Sequence, residues 1–157
     1  MSRIDSPYLA GSVTEAPVGL VLTEAGGRSN AMTVSFFSEV AHYPTALWVS
    51  IAKNSFTHEL LEASGRFSLI VLHRKQVELA RLCGTASGRN QNKCASLPVY
   101  RSKENFLFLE HALTSTACEV ESRTDVGDHT LFIGKILFGD VDSAASIHRH
   151  LLTVDLL

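Results

Sequence analysis

Cysteine is scarce in this chain of 157 residues: there are three, Cys83, Cys94 and Cys118. An odd, scattered set with no Cys-x-x-Cys spacing offers neither a disulfide framework nor a metal knuckle, and it reads as reduced thiols in the cytoplasm. Long apolar runs are missing too; stretches of roughly six to eight residues fall well short of a bilayer span. No block of one charge exists. Lys and Arg number 14 against 16 Asp and Glu, a net charge of −2, so the basic face of a nucleic-acid binder is not present. The opening Met1-Ser2-Arg3-Ile4-Asp5 has no apolar core of a signal peptide. Also lacking are a Gly-x-Gly-x-x-Gly after the first expected strand, a Walker loop and a Gly-x-Ser-x-Gly elbow. These absences argue against a Rossmann domain, a P-loop nucleotidase and a serine hydrolase.

What is present is a globular composition, 45% apolar and 19% charged, with a length that suits one domain over 1–157. Runs of β-branched and aromatic residues bounded by Gly, Pro, Asn and Asp predict strands over 18–23, 32–37, 47–52, 67–73, 115–123 and 129–138, with a final one over 151–156. Thr124-Asp125-Val126-Gly127-Asp128 joins the two longest as an antiparallel hairpin. Two short helices interrupt. The first covers 57–64, with Thr57 as its cap, Phe56 stapled onto Leu61, Glu59 in the first turn and Gly65 closing it. The second covers 75–83, with Val77, Leu79, Ala80 and Cys83 on its apolar face and Gly84 as its stop. This order lacks the βαβ alternation of a parallel sheet. It predicts a mainly-β fold closed into a small antiparallel barrel, which removes exposed strand edges.

Three polar segments between these elements can converge on one ligand. The stretch from Gly26 to Phe37 runs from a Gly turn into a hydroxyl-bearing strand, and its small side chains and backbone suit the flat face and polar rim of an aromatic ligand. Lys53-Asn54-Ser55-Phe56-Thr57 begins the first helix, where free N–H groups and the dipole favour a phosphate. The stretch from Thr85 to Lys93 offers Arg89 and Lys93 to an anion. Gly127-Asp128-His129 adds a histidine able to donate a hydrogen bond to a ligand, with Asp128 tuning its charge. Taken singly, each has an ordinary reading that is the stronger one: a hairpin turn, a helix cap with a solvated Lys53, a surface loop, a closed turn. His148 and His150 would make half a metal site with no third ligand, so no metal is expected. Trp48 is expected in the core, and Glu110, Glu119 and Glu121 do not read as a carboxylate pair.

Order and wording together say more. Asn30-Ala31-Met32-Thr33-Val34-Ser35-Phe36 resembles the Asn-x-Met-Thr-x-Ser-aromatic segment of the flavin-reductase-like family. His42-Tyr43-Pro44 is similar to that family's turn before an apolar strand. Ser55-Phe56-Thr57-His58-Glu59-Leu60-Leu61 with Ser64-Gly65-Arg66-Phe67, and then Ser87-Gly88-Arg89-Asn90-Gln91-Asn92-Lys93, resemble two further segments. Cys118-Glu119-Val120, followed by Gly127-Asp128-His129-Thr130-Leu131-Phe132-Ile133-Gly134-Lys135-Ile136, resembles the most specific one. Tyr43-Pro44 stands in place of a Pro-Pro pair, Phe36-Phe37 where Trp is common, and Asn92-Lys93 in place of an acidic-Lys pair.

The resemblance implies a six-stranded antiparallel Greek-key split β-barrel, a β-rich α+β fold with a few short helices. It further implies a homodimer holding FMN, or FAD, near the subunit interface. By the resemblance Asn30 and Thr33 lie along the flavin, the following aromatic, Phe36 or Phe37, packs near its ring, Thr57 and Lys93 lie near its phosphate, and His129 beside the flavin or a nicotinamide as the catalytic candidate. The polar segments add Met32, Ser35, Lys53, Ser55 and Arg89. The implied activity passes hydride from NAD(P)H to flavin and on to free flavin, a partner protein or another acceptor, in the cytoplasm and away from nucleic acid and membrane. The alternative is a flavin-binding electron carrier or sensor without turnover, favoured by an end at Leu157 where family members often continue into a tail. A related barrel holding haem or a pyridoxal-type phosphate, or one without a ligand, completes the set.

Overall fold

Apolar residues alternating with small or polar ones need a surface that is buried on one side at a time, and strands supply it. The computed structural model describes residues 15–144 and 149–156. β1 (Gly19–Ala25) and β2 (Arg28–Val34) form a hairpin over Gly26-Gly27. Both glycines sit at positive φ, 58° and 76°, a backbone state that a Cβ would strain. β3 (Phe37–His42), β4 (Thr45–Ala52), α1 (Phe56–Ser64), β5 (Arg66–Val71) and α2 (Val77–Thr85) follow. Next come a small hairpin of β6 (Val99–Arg101) and β7 (Leu107–Leu109), then the two longest strands, β8 (Thr114–Val126) and β9 (His129–Val141). One antiparallel sheet runs in the order β2-β1-β5-β8-β9-β4-β3. β5 follows β4 in sequence, yet β8 and β9 lie between them, so the chain crosses over by way of α1.

Alternation sorts the core onto two sides of this sheet. Leu20, Leu22, Ala31 and Ile70 pack toward α2 with Ala80, Cys83 and Leu151. Val21, Val34, Val49, Ile51, Phe67 and Phe132 pack with Leu61 of α1. Each fully buried side chain of this size stabilises the fold by about 1.5–3 kcal/mol relative to exposure.

The mainly-β architecture with short helices is as expected, but among the described residues the sheet has seven strands rather than six, and its ladder does not close. The edge strands β2 and β3 are joined by Ser35-Phe36 alone, and the Phe36 carbonyl accepts from Ser50 N at 2.9 Å. Neither linking residue has the positive φ of a tight hairpin, so the chain runs on to pair with β4 instead of doubling back. β3 was not foreseen because Phe37-Ser38-Glu39-Val40-Ala41-His42 carries no alternation; five of its six residues are exposed and a bulge shifts its register between Glu39 and Ala41. β6 and β7 were too short to read.

Other expectations are corrected. The strand expected over 32–37 begins at Arg28. The strand expected over 151–156 is replaced by isolated bridges at His150 and Leu152 and a single 3-10 turn over Thr153–Leu156, because Asp155 Oδ2 accepts from Leu152 N and curls the chain. Ser55, not Thr57, caps α1; its Oγ accepts from His58 N at 3.1 Å. Gly65 closes α1 as expected, at φ 64°. α2 runs through Gly84 to Thr85. Trp48 is half-buried and outside both apolar clusters, since its neighbours Leu47 and Val49 take the inward positions. Residues 1–5, His148 and Leu157 lie outside the described residues, so the His148 and His150 pair is not placed.

Candidate functional site

Among the described residues β2 is a sheet edge, and the outer side of its backbone has no partner strand there. Its side chains alternate. Asn30, Met32 and Val34 face α1, whereas Ala31 and Thr33 face α2, where Thr33 Oγ1 donates to the Ala80 carbonyl at 2.5 Å. Asn30 Nδ2 donates to Thr57 Oγ1 at 2.9 Å, and both residues are buried, Thr57 completely. Asn30 Oδ1 is buried with no hydrogen-bond partner among the described residues. Gly88 passes directly over this amide: a Cβ at that position would lie 2.1 Å from Asn30 Oδ1. The loop after α2 is therefore seated on β2 at the residue whose amide ties β2 to α1.

Cations gather around the start of α1. Lys53 Nζ lies 3.3 Å from Asp125 Oδ2. Arg89 reaches across from the loop, with Nη2 2.6 Å from Glu59 Oε1 and donating to the Asn54 carbonyl at 3.3 Å. The hydrogen bond from Arg89 holds the Glu59 carboxyl below the ordinary carboxylate range and Arg89 above its ordinary value. The Arg28 guanidinium stacks 4.2 Å from the Phe56 ring centroid, with that of Arg89 5.6 Å away on the same ring. Lys93 is not among these exposed cations. It is 3% exposed, and its Nζ donates to the Cys83 and Ala86 carbonyls at 3.0 and 2.9 Å, satisfying the C-terminal end of α2. Burial pushes its ammonium group below the ordinary lysine value.

A second polar group lies where β4 meets the β8–β9 turn. Asp128 Oδ1 accepts from His129 Nδ1 at 2.7 Å, which lowers the Asp128 carboxyl. The Phe36 ring lies 6.0 Å from the His129 ring. Lys53 N donates to the Asp128 carbonyl at 2.9 Å and so connects this corner to the start of α1. On the other face of β9, His58 Nε2 and Thr130 Oγ1 are 2.8 Å apart, and Thr130 donates to Asp125 Oδ1 at 2.9 Å. Hydrogen bonds from Thr130 and then Lys53 hold Asp125 below its ordinary value.

The structure thus brings Asn30, Ser55, Thr57 and Arg89 to one place, with Lys53 leading to Phe36 and His129. Ser35 precedes Phe36 and is half-buried. Thr33 lies across the strand from Asn30, so one flat ligand meets both only along the open edge of β2. Thr57 and Lys93 point inward as supports, because a buried hydroxyl and a buried ammonium group must find partners inside the fold. Sequence reasoning missed Arg28. The signal was there: two residues before Asn30 in a strand, it shares that residue's face. It also missed Gly88 as a packing requirement and the His58–Thr130–Asp125 chain, which joins residues far apart in sequence.

The flavin reductase like domain family matches residues 11–153. The chain belongs to that family. Among curated relatives it is 31% identical over 136 residues to the NADH-dependent flavin reductase StyB of Pseudomonas fluorescens, covering 85% of this chain and 77% of that one. It is 28% identical over 119 residues to the high molecular weight rubredoxin of Moorella thermoacetica, where it spans 74% of this chain but only 52% of the longer relative. Among solved structures, the FMN-binding protein from Thermus thermophilus superposes with a TM-score of 0.82 at 25% identity, over 90% of this chain and 79% of that one. Among the described residues no cluster of His, Cys, Asp and Glu is arranged to hold a metal, and no helix is long and apolar enough to cross a membrane.

Proposed function

We propose that this protein is a flavin-dependent oxidoreductase that takes hydride from NAD(P)H onto FMN, or FAD, and passes electrons to a further acceptor. The observation that carries this reading is the open edge of β2 above the buried Asn30 amide, in a chain whose family is flavin-reductase-like. An orphaned buried acceptor, an unpaired strand edge and a group of cations at one end fit a ring with fixed hydrogen-bonding groups and a phosphate tail. When bound, the flavin supplies the hydride acceptor and the electron store.

The residues of the chain do the rest. The backbone of Asn30, Met32 and Thr33 offers donors and acceptors along the ring's polar rim. Asn30 and Thr57 lock β2 to α1, so that this edge is set before the ligand arrives. Lys53, Ser55 and Arg89 supply positive potential and donors at the phosphate end. Phe36 and Ser35 border the ring. His129, with Nδ1 held by Asp128, keeps its other ring nitrogen to bind and orient a nicotinamide; no proton transfer is assigned to it. Holding two rings together matters because hydride transfer needs reacting atoms about 3–3.5 Å apart. The exposed Phe36, Val40 and Tyr43 beside the β3 edge supply an apolar surface for a second copy of the chain, supporting a homodimer.

The test is the visible spectrum of the purified protein, followed by anaerobic NADH and NADPH. A yellow protein bleached by either nucleotide is the expected result. A yellow protein bleached by neither supports the electron-carrier alternative, and a colourless one that does not quench added FMN or FAD refutes flavin binding.

A further inference from the structure

Where the β6–β7 hairpin covers β1 and β5, the structure contains a cavity lined by none of the residues placed in the candidate site above. Its volume is about 220 Å³. An apolar cavity of about 150 Å³ is enough to hold benzene, so this one has room for a single ring with small polar groups. Leu22 and Glu24 of β1, Arg66 and Ser68 of β5, and Phe106 and Leu107 at the entry to β7 line it.

Some of the polar groups here are already committed. Thr23 Oγ1 donates to the Arg66 carbonyl at 2.8 Å and lies 3.2 Å from Ser64 Oγ. Glu24 holds Arg101 through both carboxylate oxygens, at 2.5 and 3.0 Å. Two groups are not committed in this way. Ser68 is 1% exposed, and its Oγ has no hydrogen-bond partner among the described residues. A buried hydroxyl in that state is a cost to the fold unless something else satisfies it. Arg66 is half-buried, with its guanidinium 4.0 Å from the Phe106 ring centroid and Nη2 donating to the Glu104 carbonyl at 2.9 Å. Among the described residues no carboxylate lies within ion-pair distance of it. Ring and carbonyl fix its fork in place without neutralising it.

Ser68 follows Arg66 by two residues on β5, so the two share a face and stand about 6–7 Å apart along the strand. Leu22 is opposite Ser68 on the neighbouring strand. The cavity thus offers a cation, an apolar middle and an unsatisfied hydroxyl, in that order. A benzene ring with polar groups at opposite ends spans such a gap.

We propose that this cavity binds a small planar carboxylic acid. Its carboxylate meets Arg66, its ring lies among Leu22, Phe106 and Leu107, and a second polar group across the ring meets Ser68 Oγ. The proposal goes beyond the flavin reading and does not depend on it.

The experiment is titration calorimetry on the whole protein with 4-hydroxybenzoate, benzoate and 4-hydroxybenzamide as probes. Saturable binding of 4-hydroxybenzoate is expected. The amide should bind about tenfold or more weakly, because it forfeits the charge-assisted fork. Benzoate should bind about three- to tenfold more weakly, because it leaves Ser68 without a partner. Ser68→Ala should bring 4-hydroxybenzoate down to the benzoate level and leave benzoate unchanged, with Tm not lowered. Arg66→Gln should erase the preference for acid over amide. If that variant fails to fold, the acid and amide compared on the wild type still read the fork.

No saturable heat from 4-hydroxybenzoate overturns the proposal, and so does equal binding of acid and amide. A water-filled cavity would give no saturable heat, and Ser68→Ala would then lower Tm because the hydroxyl had a partner. Binding unaltered in Ser68→Ala places the probe elsewhere and also overturns it. FMN fluorescence quenching repeated with saturating probe separates the two sites. Unchanged quenching upholds a separate cavity, whereas displacement of FMN by the probe refutes it. A protein that binds 4-hydroxybenzoate in this pattern but no flavin removes the function proposed above and keeps this site.

Discussion

Replacing Gly88 by alanine tests the seating of the loop after α2 on β2. A Cβ at residue 88 would lie 2.1 Å from Asn30 Oδ1, 2.4 Å from its Cγ and 2.8 Å from its Nδ2. None of these atoms is the loose end of a long side chain. Asn30 is 3% exposed and its amide is held by Thr57, so the loop must lift or the Asn30–Thr57 hydrogen bond must break. Overpacking of this kind costs about 1–3 kcal/mol, and for a domain of this size that lowers Tm by roughly 3–10 °C. Urea unfolding followed by circular dichroism measures the cost, with flavin titration in parallel to read the displaced loop as weaker binding. The decisive comparison is a double-mutant cycle with Asn30→Ala. Shortening Asn30 removes the colliding amide, so Gly88→Ala should cost about 1–2 kcal/mol less in that background than in the wild type. Strict additivity, or a Gly88→Ala protein as stable as the parent, would refute the packing described for this corner.

Lys93→Met leaves the Cys83 and Ala86 carbonyls without their donor and should destabilise the protein by about 1–3 kcal/mol. FMN and riboflavin affinities should fall together; a loss confined to FMN would show the amino group reaching a phosphate after all. Glu59, Asp125 and Asp128 are held below their ordinary values by hydrogen-bonded partners. Their contribution is therefore complete above the ordinary carboxylate range and is lost as pH falls through the lowered values. Denaturation midpoints should drop on acidification, and Asp125→Asn should make that drop shallower. Burial raises the thiols of Cys83 to about 11 and Cys118 to about 12. Iodoacetamide at pH 8 should accordingly label both slowly in the native protein and rapidly in urea.

The long strands and both helices were legible because burial on one side imprints a period, and the Gly65 stop was legible because αL backbone selects glycine. β3 was not, since an exposed edge strand has no face to pattern. The segment 151–156 reads as a strand because Leu151 and Leu152 look alike, and only a hydrogen bond from Leu152 to Asp155 distinguishes a turn. The candidate site was half legible. Polar residues at strand and helix ends gather at one corner of the fold, yet residue types alone do not tell which of them are spent on the fold itself. Thr57 and Lys93 proved to be inward supports, and Arg28, unremarkable beside Gly27, stands in the open.

Leu151 is fully buried, and its backbone is clasped on both sides, by Val18 N at 2.7 Å and by the Leu72 carbonyl at 2.8 Å. Val18 thus lies nearly the whole chain away from it in sequence, and Leu72 about half. During synthesis, the α1 side of the core has all its members once residue 136 has emerged. The α2 side lacks its plug until residue 151 arrives. The nascent chain consequently carries an uncovered apolar slot between its first strand and the segment after β5, ready for a holdase to grip. Limited proteolysis of chains stalled on either side of residue 151 would reveal that slot by cleavage near Leu72, and its closing by protection.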